Sequence, residues 1–363
     1  MQRVLVTGAT GFIGGHLAEA LTRNGVETRC LVRPTSDTRR LSDIGVTLVE
    51  GDITEANGLD EAVANVDLVF HLAGLTTALS KAEMSKANAV GPGLVAAACA
   101  RLQTPPAMIV LSSVAAAGPT ERDTIRVESD PVAPVSNYGH SKRAGELAAA
   151  KWADRVPLSI IRPGIIFGPR DRLALPIFKT IATWRIHPVV GMGRTKLALL
   201  HVDDLVDLLL KVAYNGERLP ATESDPAQPG AGVYFVSHDS TPSYRELGLL
   251  IARAMSRRVV PIPLLPPVAW SAAAVSQLWS QVRRRSDAFN IDKIREAVQS
   301  SWAVSNEKAK RQFRWKPRAS LEEQLQDTVQ WYEANQWIKI RRLLGNRISP
   351  LAGHSNTGSK LDG

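Results

Sequence analysis

The sequence has few cysteines and no long apolar run. Among its 363 residues only Cys30 and Cys99 are cysteines, and both lie in apolar stretches without metal-ligand spacing. This argues against a disulfide framework or a zinc site and indicates a reducing compartment. No apolar run reaches the roughly 18 residues that a bilayer-spanning helix needs, and no signal peptide precedes the apolar segment that starts at Val4. We therefore predict a cytoplasmic protein that binds no metal.

The charge is unevenly distributed. The formal net charge is +9, and basic residues cluster in the last quarter at 283–285, 308–318 and 339–347. These clusters are typical of a solvated basic surface, and contact with anionic lipid head groups or an anionic substrate is the alternative. No recognition motif or interleaved aromatic pattern accompanies the charge, so we expect no nucleic-acid partner.

The first half of the chain alternates short β-branched runs with helical stretches. Apolar residues make up 44% of the chain and charged residues 22%, as in ordinary globular proteins. The predicted strands are residues 3–7, 27–32, 47–50, 68–72, 108–111 and 158–162, and the helices between them include 12–23, 58–64, 90–100 and 138–152. This alternation predicts the α/β class, with a Rossmann-type doubly wound parallel sheet.

The pattern changes after residue 168. Residues 201–214 suggest a helix, 232–236 a strand and 261–267 a proline-rich connection. Apolar residues at helical spacing over 268–282 predict an amphipathic helix, which packs on its own domain or lies on a membrane surface. Ser320 and Glu323 have the spacing of a capping box, which predicts a helix over 321–337. Residues 348–363 are rich in Gly, Ser and Asn and are expected to be disordered.

These segments suggest two domains. Residues 1–168 form the dinucleotide-binding domain, to which 201–236 return. Residues 169–200 and 237–337 form a smaller, mostly helical C-terminal substrate lobe, and 338–363 are a basic segment and tail. The cleft between two such domains is a usual ligand site.

A glycine-rich turn follows the first strand. Gly8, Gly11 and Gly14 allow a tight turn, a close approach of the backbone to a pyrophosphate, and close packing of the helix on the sheet. The anion then lies on the free N–H groups at the start of the helix at Phe12. The predicted cofactor segment runs from Gly8 to Gly14 and includes Thr10, Phe12 and Ile13.

Arg33 ends the second predicted strand. An acidic residue near this place binds the ribose 2′-hydroxyl of NAD, whereas an arginine accepts the 2′-phosphate of NADP. We therefore predict NADP or NAD as cofactor, with NADP favoured; a solvent-facing Arg33 is the alternative. Two other strand ends are predicted to contact the cofactor, through Asp52 and Ile53, and through Leu72, Ala73 and Gly74.

Tyr138 and Lys142 lie four residues apart, so that on a helix the phenol and the ammonium share one face. A phenol with a pKa of about 10 is a poor base at neutral pH, and a neighbouring lysine lowers that value. Ser113 ends the fifth predicted strand and could hydrogen-bond the reacting oxygen. The three residues predict proton transfer at Tyr138 coupled to hydride transfer at a nicotinamide.

These residues resemble the extended short-chain dehydrogenase/reductase family, also called the NAD-dependent epimerase/dehydratase family. The resemblance covers residues 1–337. Its most specific parts are Thr7-Gly8-Ala9-Thr10-Gly11-Phe12-Ile13-Gly14, His71-Leu72-Ala73-Gly74, Tyr138-Gly139-His140-Ser141-Lys142, Arg162-Pro163-Gly164-Ile165-Ile166-Phe167-Gly168-Pro169 and His201-Val202-Asp203-Asp204-Leu205.

The resemblance implies a catalytic triad of Ser113, Tyr138 and Lys142, with Ser112 as the alternative serine. It also implies that Asn88 lies near the active site and contacts the cofactor, as does Pro163. A homodimer formed through helices is a further implication.

Within the family, Leu31-Val32-Arg33-Pro34-Thr35-Ser36-Asp37 is similar to the branch that holds dihydroflavonol reductases, hopanoid-associated proteins and 3β-hydroxysteroid dehydrogenase-like enzymes. That branch implies an oxidoreductase acting on a hydroxyl or keto group of a lipophilic small molecule, which is steroid-, terpenoid- or polyketide-like. The candidate lining residues are Trp184, Met192, Trp270 and Trp279.

Two alternatives remain open. One is a nucleotide-sugar epimerase or dehydratase whose diphosphate is held by arginines, for which the candidates are Arg170, Arg172, Arg185 and Arg194. The other is a non-catalytic cofactor-binding protein. The presence of Ser113, Tyr138 and Lys142 argues against that second alternative, because binding alone needs none of them.

Overall fold

A seven-stranded parallel sheet forms the centre of the protein. Its strands, in spatial order, are β10 (Val233–Val236), β6 (Leu158–Pro163), β5 (Ala107–Leu111), β4 (Leu68–His71), β1 (Arg3–Thr7), β2 (Glu27–Val32) and β3 (Thr47–Glu50). Strand β1 pairs with β2 on one side and with β4 on the other, so the chain winds in both directions from β1. The predicted Rossmann-type doubly wound sheet is confirmed.

The structure is a computed structural model that describes residues 3–221, 230–283 and 290–340, with only the backbone for 266 and 277–282. The predicted tail at 348–363, most of the basic segment at 339–347 and the side chain of Trp279 lie outside the described parts. No helix within these ranges is both long and apolar enough to cross a membrane.

Helices cover both faces of the sheet because the strands are apolar on both faces. In β1, Val4 and Val6 face α1 (Phe12–Arg23) and α9 (Val202–Asn215). Leu5 points to the opposite face, which carries α3 (Leu59–Val63), α5 (Gly91–Ala100) and α7 (Asn137–Ala150). Shorter helical segments follow the strands: α2 (Arg39–Ser42), α4 (Lys81–Ser85), a π-helical turn (Lys86–Val90) and α6 (Val114–Ala117).

The remaining elements, apart from α13 (Glu307–Phe313), form a second layer. They are β7 (Ile165–Phe167), α8 (Leu175–Trp184), β8 (Ile186–Val190), β9 (Leu199–His201), α10 (Tyr244–Ala254), β11 (Val260–Leu264), α11 (Pro266–Arg283), α12 (Ile291–Ala297) and α14 (Leu321–Ala334). Helices α8, α10 and α14 of this layer share a separate apolar core, whereas α13 packs against the core of the central sheet through Ala309. The segment 201–236 supplies α9 and β10 to the central sheet layer. The exact domain boundaries stay predictions.

One sequence prediction in this layer was wrong. The proline-rich connection at 261–267 is instead the strand β11, which pairs in parallel with β8, followed directly by α11. Pro261 and Pro263 are tolerated because β11 lies at the edge of a two-stranded sheet, where alternate N–H groups need no partner in the ladder. The predicted capping box of Ser320 and Glu323 is confirmed at the start of α14.

Candidate active site

A large cleft lies at the carboxyl ends of the central strands. Its volume is about 1820 Å³, above the roughly 300–1,000 Å³ of a usual small-molecule site. The cleft therefore has room for a dinucleotide together with a second molecule. All of the predicted cofactor residues except Asn88 line it: Gly8, Thr10, Gly11, Phe12, Ile13, Gly14, Arg33, Asp52, Ile53, Leu72, Ala73, Gly74, Tyr138, Lys142 and Pro163.

The glycine turn after β1 leaves space that any side chain would fill. Gly8 has a φ of 75°, and a Cβ atom there would lie 2.6 Å from the backbone nitrogen of Ala73. A Cβ atom on Gly14 would lie 2.2 Å from the carbonyl oxygen of Gly8. No side chain of the described residues caps the start of α1 at Gly11, so its first N–H groups are available to an anion. The turn thus fits a pyrophosphate.

Basic side chains surround the end of β2. Arg33 is exposed and lines the cleft, and its backbone N–H donates to the Ser36 hydroxyl at 3.2 Å. Arg40 lines the same region, where its Nε donates to Glu19 at 2.8 Å. The Nη2 atom of Arg40 is buried and has no partner among the described residues. The end of β2 therefore presents positive charge to the cleft.

The Asp52 side chain forms a hydrogen bond within its own loop. One of its carboxylate oxygens accepts a hydrogen bond of 2.8 Å from the Thr54 N–H, which fixes the loop after β3. Beyond β4, the Ala73 N–H donates to the Thr7 hydroxyl at 3.3 Å, and this hydroxyl also lies 3.0 Å from Nδ1 of His71. These bonds hold the backbone of residues 72–74 against the glycine turn.

Asn88 does not line the cleft, and its contact with a cofactor stays a prediction. It is buried in the π-helical turn, where its Oδ1 accepts from the Leu75 N–H and its Nδ2 donates to the Leu75 carbonyl, both at 2.8 Å. Its Nδ2 also donates to the Ser141 hydroxyl at 3.0 Å. Asn88 therefore ties the loop after β4 to helix α7.

The two adjacent serines after β5 have different partners. The buried Ser112 hydroxyl donates to the carboxylate of Glu146 at 2.5 Å. Ser113 caps α6, where its hydroxyl accepts from the Ala115 N–H at 3.2 Å, and it lines the cleft and acts to lower the pKa of Tyr138. The geometry therefore favours Ser113 over Ser112 as the serine of the site.

Tyr138 and Lys142 lie on α7 and both line the cleft. The Lys142 ammonium donates to the Leu111 carbonyl at 2.8 Å. Burial lowers the pKa of Lys142 to about 8, although Glu146 acts in the opposite direction. Burial also raises the pKa of Tyr138, and this effect exceeds the opposing effects of the Lys293 ammonium and the Ser113 hydroxyl. The expectation of a lowered tyrosine pKa is therefore wrong.

The comparisons with known proteins agree with this geometry. A model of the NAD dependent epimerase/dehydratase family matches residues 4–224, more than half of the chain. The protein belongs to this family.

Two family relatives and one solved structure illustrate the similarity. The ceramide reductase of Caulobacter vibrioides (strain NA1000 / CB15N) is 29% identical over 337 residues, which cover 92% of this chain and 96% of that protein. A decarboxylating sterol-4-alpha-carboxylate 3-dehydrogenase of Dictyostelium discoideum is 24% identical over 77% of this chain and 86% of its own. The predicted resemblance to the branch of reductases and steroid dehydrogenases is thus confirmed.

The solved structure is a dTDP-glucose 4,6-dehydratase from Bacillus anthracis str. Ames in complex with NAD. It superimposes with a TM-score of 0.72 over 93% of this chain and 99% of its own, at 18% identity. At that identity the likeness shows the shared fold alone.

Beyond the predicted cofactor residues, the cleft is lined by many apolar residues and by charged ones such as Arg170, Asp171 and Lys293. The apolar residues include Ile165, Ile166, Phe167, Leu173, Ile177, Phe178, Leu199, Leu247, Ile251, Leu264, Trp302, Leu325, Trp331 and Trp337. The predicted lining residues Trp184, Met192 and Trp270 are not among them: Trp184 is 72% exposed, Met192 is 54% exposed, and Trp270 packs against the small core of Ala269 and Ala273. The spacing of apolar residues in the sequence does not distinguish a large apolar side chain that lines the cleft from one that is exposed or packed elsewhere.

Helix α12 approaches Tyr138 from the second layer, which the sequence did not predict. The Lys293 ammonium lies 5.0 Å from the centroid of the Tyr138 ring and 2.8 Å from the carboxylate of Glu296. The Asp292 carboxylate accepts from the backbone N–H of Asn137 at 2.7 Å and of Tyr138 at 3.0 Å. No motif marks these residues; they approach the site only because the chain returns over some 150 positions.

Proposed function

We propose that this family member transfers a hydride between NAD(P) and a hydroxyl or keto group of a lipophilic small molecule, with Tyr138 as the general acid/base. The observation that carries the proposal is the convergence of Ser113, Tyr138 and Lys142 in one cleft with the glycine turn. A nicotinamide bound there would accept or donate the hydride.

Each side chain has a distinct role in this proposal. The Ser113 hydroxyl orients the reacting oxygen beside Tyr138, which lines the same cleft. The Tyr138 hydroxyl gives a proton to that oxygen in reduction and takes one from it in oxidation. The Lys142 ammonium donates to the Leu111 carbonyl. It also lies close to Gly74, where a Cβ atom would be 3.2 Å from its Nζ. Its ammonium is therefore positioned beside the backbone segment that is proposed to contact the cofactor.

The dinucleotide is held by the glycine turn, by the strand ends at Asp52 and Gly74, and by Arg33. We favour NADP over NAD because Arg33 is exposed after the end of β2 and lines the cleft, and an arginine near the end of this strand can accept a ribose 2′-phosphate. The unpartnered Nη2 of Arg40 adds a second donor nearby.

A lipophilic substrate is supported by the many apolar residues that line the cleft. Burial of such a substrate contributes roughly 25 cal/mol for each Å² of apolar surface. The names of two relatives, a ceramide reductase and a sterol-4-alpha-carboxylate 3-dehydrogenase, agree with a lipid-like substrate.

A nucleotide-sugar epimerase or dehydratase is less well supported. Of the four arginines predicted for a diphosphate, only Arg170 and Arg172 line the cleft. Arg170 is paired with Glu19 at 2.9 Å and lies 6.0 Å from the Trp331 ring, and Arg172 lies 5.4 Å from the Trp337 ring. These partners reduce their availability to a diphosphate.

The proposal is tested by incubating the protein with NADPH or NADH and a panel of long-chain, steroid-like and aromatic ketones. Net oxidation of the reduced cofactor with at least one ketone, lost in Tyr138→Phe, is the expected result. Conversion of a nucleotide sugar without net cofactor oxidation would instead identify an epimerase or dehydratase.

A further inference from the structure

The side chains of α12 form a charged group directly beside the proposed acid/base. The ammonium of Lys293 lies over the Tyr138 ring, 5.0 Å from its centroid, and is paired with the Glu296 carboxylate at 2.8 Å. The other Glu296 oxygen accepts a 2.7 Å hydrogen bond from Ser136, whose hydroxyl in turn accepts from the Gly139 N–H at the start of α7. The group is therefore fixed relative to Tyr138 and is not a mobile surface pair.

The attachment of α12 to α7 is unusually direct. Asp292 accepts hydrogen bonds from two backbone N–H groups in the first turn of α7, at Asn137 and Tyr138. Carboxylates are stabilised at this end of a helix, where the unpaired N–H groups carry partial positive charge. As a result, the second layer fixes Lys293 against the helix that carries the proposed chemistry.

We propose that Lys293 is a positioning residue that stabilises the ionised form of Tyr138, and that Glu296 opposes it. This inference rests on the proposed function, because it assigns a role only if Tyr138 exchanges a proton with substrate. An ammonium close to a buried phenol stabilises the phenolate, while a carboxylate destabilises it.

Among the described residues, the charged groups near Tyr138 come from two elements. Lys142 lies one turn further along α7, and Asp292, Lys293 and Glu296 lie on α12. The remaining cluster against which Tyr138 packs consists of apolar residues, including Val114, Ala115 and Trp302. Lys293 is itself charged in the working pH range, since Glu296 raises its pKa against the effect of burial. The two α12 charges therefore act on the phenol in opposite directions.

The inference predicts opposite shifts for two variants. In Lys293→Met the pH at which Tyr138 ionises rises by about 1–3 units, the usual effect of one close charge. In Glu296→Gln it falls, because the amide keeps a hydrogen-bond acceptor for Ser136 but removes the negative charge. Lys293→Arg retains the value of the wild type within about half a unit.

The experiment measures two quantities. The first is the ultraviolet titration of the phenolate, taken as the difference between each protein and the same protein carrying Tyr138→Phe. The second is the pH profile of kcat/KM in the oxidative direction, whose rising limb reports Tyr138. Lys151→Met is the matched control, because Lys151 is exposed at the far end of the same helix, roughly 20 Å away.

Opposite shifts in Lys293→Met and Glu296→Gln, with none in Lys151→Met, support the inference. Unchanged titration in both α12 variants, or shifts of the same sign, overturns it. If the titrations shift as expected while no hydroxyl or keto substrate reacts, the proposed function fails and the electrostatic role of Lys293 stands.

Discussion

The Arg162 guanidinium donates two parallel hydrogen bonds to the Glu146 carboxylate, at 2.8 and 2.7 Å, and both side chains are buried. The same carboxylate accepts the Ser112 hydroxyl. This group connects the ends of β5 and β6 with α7 beneath the proposed catalytic residues. It explains why two adjacent serines are expected to behave differently.

Ser113→Ala is expected to reduce kcat by at least ~10-fold, because its hydroxyl is proposed to orient the reacting oxygen in the cleft, and to lower the free energy of unfolding by no more than about 1 kcal/mol through loss of the α6 cap. Ser112→Ala is expected to lower the free energy of unfolding by about 1–3 kcal/mol, because it removes a buried hydrogen bond to a charged group. Steady-state kinetics and urea unfolding of both variants check this. A large loss of kcat in Ser112→Ala, with kcat nearly unchanged in Ser113→Ala, would make Ser112 the catalytic serine.

Glu146→Gln is expected to destabilise the protein by about 3–5 kcal/mol at neutral pH, because the Arg162 charge is left buried without its partner. Burial raises the pKa of Glu146, but Arg162 and Ser112 outweigh it, so the pKa is held below its ordinary value. The stabilisation is therefore present above about pH 4.3 and is lost as the pH falls through the folded-state pKa.

Urea unfolding at a series of pH values measures this effect. The difference in the free energy of unfolding between the wild type and Glu146→Gln should decrease as the pH is lowered. Glu322→Gln is the control, since Glu322 is half exposed, 3.7 Å from Arg253, and its loss should cost less than about 1 kcal/mol. If the difference between the wild type and Glu146→Gln does not change with pH, the stability does not depend on the ionisation of Glu146 and the prediction is contradicted.

The sequence predicted the central sheet well because its signals are local. Apolar runs of four to six residues between helices marked the strands, and the turn at Gly8 marked the cofactor site at the end of β1. The second layer was harder to predict. Strand β11 was hidden because Pro261 and Pro263 are ordinarily breakers, and only its pairing with β8 makes them acceptable.

The environment of Tyr138 could not be predicted for a related reason. The spacing of Tyr138 and Lys142 identified one lysine, yet the cation that opposes the rise in the Tyr138 pKa in this structure is Lys293. The contact joins residues 155 positions apart, as 293 − 138 gives, and no local pattern encodes it. Likewise, the hydrogen bonds of Asn88 to Leu75 and Ser141 depend on a π-helical turn that no local pattern marks.

Arg33→Asp is expected to shift the ratio of kcat/KM for NADPH over NADH toward NADH by at least ~10-fold, because a carboxylate repels a 2′-phosphate and accepts a ribose hydroxyl. Initial rates with both cofactors measure the ratio. Arg23→Asp is the control, because Arg23 ends α1 and does not line the cleft. An unchanged ratio in Arg33→Asp would remove the basis for favouring NADP.

We also propose that one face of α11 contacts an anionic lipid surface. Leu265, Val268 and Val275 are 70%, 54% and 66% exposed. Val268 and Val275 are seven residues apart and therefore lie on one face of the helix. Ala272 between them lines the cleft. Arg283 is exposed at the end of the helix. Apolar residues next to basic ones are typical of helices that lie on anionic membranes.

Co-sedimentation with phosphatidylserine-containing vesicles tests this surface. Replacing Val268 and Val275 by serine should weaken binding at least ~10-fold, because each buried valine contributes on the order of 1.5 kcal/mol. Ile125→Ser, at an exposed site 58% accessible outside α11, should leave it unchanged. Absence of vesicle binding by the wild type, or its retention in the double variant, would contradict the proposal.

The central claim is that the Tyr138 hydroxyl exchanges a proton with the substrate while hydride is transferred. A single-turnover measurement of reduced-nicotinamide absorbance, with enzyme in excess over an accepted ketone, tests it most directly. In Tyr138→Phe the transfer rate is predicted to fall ~10²- to 10⁴-fold, while cofactor affinity and the urea midpoint stay near those of the wild type. A transfer rate in Tyr138→Phe within a few-fold of the wild type would contradict the account.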